Sequence, residues 1–186
     1  MKVHVLVPSP GGPHQQHPAL EAITRPPLDP HFFEALCLLD LGFLDPELAG
    51  RRVLCLSMSV GAVDEELVIQ EQDDGRWTVA LVDGSPPKDP TRGSAWAEPF
   101  ESGPQSFARL PTFEAATLEA REYGEVDLER HVVLRIGEPA WLQDDFSPSG
   151  EGWRFVARLD CWFQFGSMYV FYHPERRQAY HVIQFT

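Results

Sequence analysis

Cysteine and lysine are scarce in this chain, and cations of any kind are outnumbered. The three cysteines, Cys37, Cys55 and Cys161, lie inside apolar runs at no paired spacing. They therefore read as buried thiols of a reducing compartment and not as a disulfide framework. Lys2 and Lys88 are the only lysines, and 15 Lys+Arg face 28 Asp+Glu for a formal net charge of -13. The imbalance is even along the chain, with 7 cations against 14 carboxylates in residues 1–93 and 8 against 14 in residues 94–186. A surface of that sign repels phosphate backbones and anionic headgroups, so neither nucleic acid nor membrane is an expected partner, whereas a basic protein is. Long apolar runs are missing too. Met1–Pro8 lacks the apolar stretch and small-residue cleavage site of a secretion signal, and no segment has the length to span a bilayer, so a cytoplasmic location is expected.

Motifs that would spell out a reaction are equally hard to find. The nearest approach to a phosphate-cradling loop is Pro10-Gly11-Gly12-Pro13, whose prolines remove backbone donors and which no helix follows, so it reads as a turn. His14 and His17 have a ligand-like spacing but sit in a Pro-rich loop without further donors, so no metal and no cofactor is expected. Cys161 follows Asp160, with His173 and His181 on neighbouring expected strands, which leaves an enzyme or small-ligand cleft near Asp160, His173 and His181 as the alternative reading. Against a nucleophile, Cys161 lies between Leu159 and Phe163, the setting of a small buried hydrophobe.

What is present is a foldable chain. Apolar residues at 43% and charged residues at 23% are ordinary globular usage, and 186 residues suffice for one well-buried core, so a single domain over 1–186 is expected. Residues 3–7 read as a strand, followed by a Pro/Gly-rich loop over about residues 8–30. Phe32, Leu36, Leu39 and Phe43 recur at helical spacing and predict a helix over His31–Leu44, with Gly42 near its end and a turn at Asp45–Leu48. Strands are expected at Val53–Val60, Leu67–Glu71 and Trp77–Val82, the last two joined at Asp73-Asp74-Gly75, where glycine tolerates the positive φ of a tight turn. Residues 83–111 form a second long loop, and Thr112 then caps an expected helix to about Tyr123, stopped by Gly124. Further strands are expected at His131–Ile136, Arg154–Cys161, Met168–Tyr172 and Tyr180–Phe185. The expected fold class is α+β: a single domain with a mainly antiparallel twisted sheet of about seven strands and two helices.

Carboxylates and aromatics mark the candidate binding residues. Asp64, Glu65 and Glu66, with Glu71, Asp73 and Asp74 on the same meander, lack the alternating oxygens around a glycine that a hard cation needs, so they read as a face for docking a basic partner. Trp96 and Phe100 lie in the 83–111 loop, and Trp141 and Phe146 flank Asp144-Asp145 in another. Aromatics beside carboxylates on loops are the makings of an interface hot spot for Arg and Lys, although Trp141 and Trp153 equally suit a role capping the core.

The order Gly137-x-Pro139-x-Trp141-x-Gln143, then Phe155-Val156-Ala157-Arg158-Leu159-Asp160, then Phe165-Gly166-x-Met168-Tyr169-Val170-Phe171 resembles the YwqG-like family of bacterial proteins, over the C-terminal third only. The resemblance implies an α+β cytosolic protein of unassigned biochemistry whose relatives keep company with polymorphic toxins as proposed immunity partners. Some relatives carry paired cysteines before the Phe155-type strand, where this chain has Pro148-Ser149-Gly150-Glu151-Gly152, so zinc is not carried over. The expected function is a non-enzymatic immunity-type protein that neutralises a cognate basic toxin through an acidic surface.

Overall fold

The computed structural model describes residues 1–9, 15–18, 33–58, 66–73, 75, 77–81, 105–107, 113–127, 131–160 and 166–185. These form one twelve-stranded sheet: β1 (Lys2–Pro8), β2 (Gln15–Pro18), β3 (Phe33–Asp40), β4 (Arg52–Met58), β5 (Glu66–Glu71), β6 (Trp77–Leu81), β7 (Gln105–Phe107), β8 (Phe113–Glu122), β9 (Val133–Arg135), β10 (Arg154–Asp160), β11 (Gly166–His173) and β12 (Gln178–Phe185). Their spatial order is β4-β3-β2-β8-β1-β9-β10-β11-β12-β5-β6-β7, and every neighbouring pair is antiparallel.

The two expected helices are strands, and the fold is a mainly antiparallel sheet, not α+β. Among the described residues the helical content is one turn, α1 (Leu41–Leu44), and 3-10 turns at Pro46–Leu48 and Tyr123–Glu125. In the first case Leu36, Cys37, Leu38 and Leu39 are all buried, so the strand carries a continuous apolar run. Such a run satisfies helical spacing as well as strand spacing, and spacing alone does not separate them. The helix is confined to the turn after it, capped by Asp40, whose Oδ1 accepts from the Gly42 N–H at 2.9 Å. Gly42 does not end a long helix. It admits the following turn, since a Cβ there would lie 2.8 Å from the Ala49 Cα.

In the second case the Ala- and Glu-rich Phe113–Glu122 has good helix formers, but β1 needs a partner along its whole length. The ladder runs from Lys2 opposite Glu122 to Pro8 opposite Ala116, and β2 pairs with the other edge of β8. Satisfied backbone on both edges outweighs a propensity difference of at most about 0.7 kcal/mol per residue. Both expected long loops also contribute strands to the sheet, β2 from the first and β7 from the second.

The sheet curls until β4 comes back alongside β5 and β12. Its inner side buries Leu134, Leu159, Met168, Val170, Ile183, Leu67 and Ile69 in one continuous core with Leu36–Leu39 and Val53–Leu56. The outer side is divided. Val3, Val5 and Val133 form a small apolar patch beside Tyr123 and Val126, and Val68, Tyr169, Phe171, Tyr180 and Val182 form a larger one.

Candidate functional site

The larger outer patch lies under the segment 137–153, which leaves β9 and crosses the sheet as an irregular strap before entering β10. Aromatic residues drive the contact. Trp141 stacks on Tyr169 with centroids 4.3 Å apart and reaches Phe171 at 5.9 Å, while Trp153 meets His173 edge-on at 5.3 Å and Tyr180 at 5.9 Å. Phe146 and Phe155 pack against the same patch.

Two buried side chains of the sheet then pin the strap by its backbone. The Gln184 Oε1 accepts from the N–H groups of Leu142 and Gln143, both at 3.1 Å, and its Nε2 donates to the Asp144 carbonyl at 2.7 Å. The Tyr169 hydroxyl accepts from the Leu142 N–H at 2.8 Å and donates to the Ala140 carbonyl at 3.2 Å. Burial pushes the Tyr169 phenol above its ordinary pKa, so the hydroxyl that bridges Leu142 and Ala140 stays un-ionised. Ala140 sits at φ 40°, a left-handed conformation uncommon for a residue with a Cβ, and its carbonyl is thereby aimed into the sheet. At the other end Gly152, φ 92°, passes so close to His173 that a Cβ would lie 2.8 Å from Nε2.

With the aromatics turned inward, the outward side of the strap is left to charge. Glu138, Asp144, Asp145 and Glu151 are exposed, and residues 137–153 contain no Lys or Arg. Asp145 also shapes the loop, its Oδ1 accepting from the Ser147 N–H at 2.8 Å. The strap thus unites Trp141, Asp144, Asp145 and Phe146, with the carboxylates facing solvent and the aromatics facing the sheet.

The acidic meander is not gathered in the same way. Glu66 is buried on the outer side of β5 and accepts a hydrogen bond from the Tyr180 hydroxyl, whose pKa is pushed well up by burial and by that carboxylate. Glu71 pairs with Arg52 of β4, and Asp73, exposed at the β5–β6 turn, pairs with Arg177. Asp64, Glu65, Asp74, Trp96, Phe100, His14 and Cys161 lie outside the described residues.

Asp160, His173 and His181 do not converge. His181 shares the parity of the core residues Ala179 and Ile183 and points into the inner core, while Asp160 and His173 belong to the outer side at opposite ends of the β10–β11 pair. His181 is fully buried. The Leu56 carbonyl lies near its imidazole, yet neither ring nitrogen completes a hydrogen bond of ordinary geometry, and burial lowers its pKa to about 3. The His173 Nδ1 accepts from the Arg176 N–H at 3.3 Å, closing the β11–β12 turn.

Asp160 has other company. Its Oδ2 accepts from the Arg135 Nε at 2.5 Å, and its Oδ1 accepts from the Arg158 Nε at 3.0 Å and from the Ser167 hydroxyl at 2.6 Å. These arginines, together with Gln184 and Tyr169, escaped the sequence reading. The visible signal for Gln184 was a polar residue among apolar ones in Val182–Phe185, at the parity of Tyr180 and Val182.

Comparison with family models, with curated proteins and with solved structures finds no match. Among the described residues no helix is long and apolar enough to cross a membrane, and no group of three or more His, Cys, Asp or Glu side chains is placed to hold a metal ion.

Proposed function

We propose that this chain is a non-enzymatic binding protein that engages a basic protein partner through the acidic outer side of the 137–153 strap. The observation that carries the reading is the combination of four exposed carboxylates without a cation and a backbone held at both Gln184 and Tyr169. A loop fixed in advance loses little conformational entropy on binding, and a single-sign surface speeds encounter with a partner of the opposite sign. The whole-chain charge of -13 adds a long-range attraction of the same sense.

Within that class the reading is an immunity-type protein of the bacterial cytoplasm, neutralising a cognate toxin by covering its basic surface. Support comes from the C-terminal resemblance to YwqG-like proteins and from the charge. Co-expression with the product of the adjacent gene is the test. Rescue of growth by the wild-type chain, lost in the Glu138→Gln/Asp144→Asn/Asp145→Asn/Glu151→Gln variant, is the expected result. Absence of both capture of that product and rescue of growth would sink the reading.

A further inference from the structure

Between the two apolar patches of the outer side runs a charged seam. Arg135 of β9 and Arg158 of β10 are direct cross-strand neighbours, a pairing of like charges that is unfavourable on its own. Asp160 sits between them, buried to 5% exposure, and offers one oxygen to each Nε. One carboxylate cannot neutralise two guanidiniums, so the seam keeps a net positive charge in a chain whose total is -13. The Met1 ammonium, beside Arg135, is itself paired with Glu122 at 2.9 Å.

The donors are held in place. Arg158 shares its Nε between Asp160 and Ser167 (2.9 Å) and gives Nη1 to the Ala140 carbonyl at 2.7 Å, with its guanidinium 5.6 Å from the Tyr169 ring centroid. The Arg135 Nη1 lies 2.9 Å from the Met1 Sδ, and that guanidinium sits 4.8 Å over Tyr123. A guanidinium carries five N–H donors. Among the described residues the Nη2 groups of both arginines have no partner, and the side chains keep 23% exposure for Arg135 and 12% for Arg158. Two preset, partly desolvated N–H₂ edges with surplus positive charge are the recognition chemistry of an oxyanion.

We propose that Arg135 and Arg158, oriented by Asp160 and Ser167, bind a small oxyanion of the phosphate or carboxylate type in this seam. The proposal is independent of the strap's reading as a docking surface, because it concerns the opposite charge on different strands. A purely structural role, with Arg158 tying β10 to Ala140, would give no saturable response to anions.

The test is a titration of the full chain with inorganic phosphate and, separately, with acetate, ionic strength being held constant with sodium chloride. It is read by the arginine Nε–Hε signals in NMR and by the unfolding temperature. Saturable shifts of two arginine signals are expected, with a Kd on the order of 1 mM for the preferred anion. Phosphate alone would mark a phosphate site, acetate alone a carboxylate site, and either supports the proposal. Arg135→Gln should weaken the response at least tenfold, while Arg177→Gln, at the distant β11–β12 turn, should leave it unchanged. Absence of saturable shifts in the wild-type chain overturns the proposal, whether or not the Arg135 variant folds. An equal response in a folded Arg135→Gln chain overturns it as well.

Discussion

The two sides of this sheet are built on different rules. The inner side is a continuous apolar core into which a single described polar side chain of β12, His181, intrudes without a hydrogen bond of ordinary geometry. The outer side is a mosaic in which Gln184, Tyr169, Asp160 and Glu66 are also buried or nearly so, but each has a named partner. Apolar burial is non-directional and sets how much free energy folding gains, whereas hydrogen-bonded polar groups fix one arrangement of an irregular segment. Stability therefore resides inside, and the placement of the strap and seam, where binding is proposed, resides outside.

The largest test of that division is acid. His181 has its pKa lowered to about 3 by burial, so below its ordinary value near 6.5 the unfolded chain takes up a proton that the folded chain refuses. Its contribution is present above pH 6.5 and is lost as pH falls through 3, by about 5 kcal/mol if the whole shift is expressed. Urea unfolding at pH 7 and pH 4 should show His181→Leu flattening this part of the pH dependence. An unchanged slope would mean that the inner side tolerates charge.

Next in size, Leu54→Ala on the inner side should destabilise by about 3 kcal/mol, through lost burial and the cavity left behind. A smaller loss, about 2 kcal/mol, is expected for Gln184→Ala, which removes three hydrogen bonds to the strap. Hydrogen exchange separates the two: Gln184→Ala should expose the Leu142 and Gln143 amides while β10–β12 stay protected, and Leu54→Ala should weaken protection throughout. Smallest of all, neutralising Glu138, Asp144, Asp145 and Glu151 together should move stability by less than about 0.5 kcal/mol, because exposed charges in high dielectric contribute little. In that variant binding and stability part company, since the same change should abolish partner binding.

The sequence made the C-terminal strands readable because Arg154–Asp160, Gly166–His173 and Gln178–Phe185 are aromatic and β-branched and are bounded by turns at Gly150–Gly152 and Pro174–Arg177. Leu36–Leu39 misled because a strand buried on both sides and a buried helix carry the same apolar run. Phe113–Glu122 misled because its partner, β1, lies at the far end of the sequence, where no local pattern points to it. For the site, Asp144, Asp145, Trp141 and Phe146 were legible as a cluster, but their division into outward acids and inward rings was not. That division is imposed by Gln184, some forty residues further on (42 from Leu142).

The same long-range pairing governs how the molecule comes to be folded. The ladder of β1 closes on β8, with Met1 and Glu122 joined across 121 positions, and β5 waits for β12. Until those later strands are synthesised β1 has no partner and β5 has only β6 on one edge, and such non-local pairings form slowly because loop closure precedes any stabilising contact. Nascent chains therefore carry open strand edges for most of their synthesis, and the excess of carboxylates, by keeping them apart, protects the protein before it has a surface with which to bind anything.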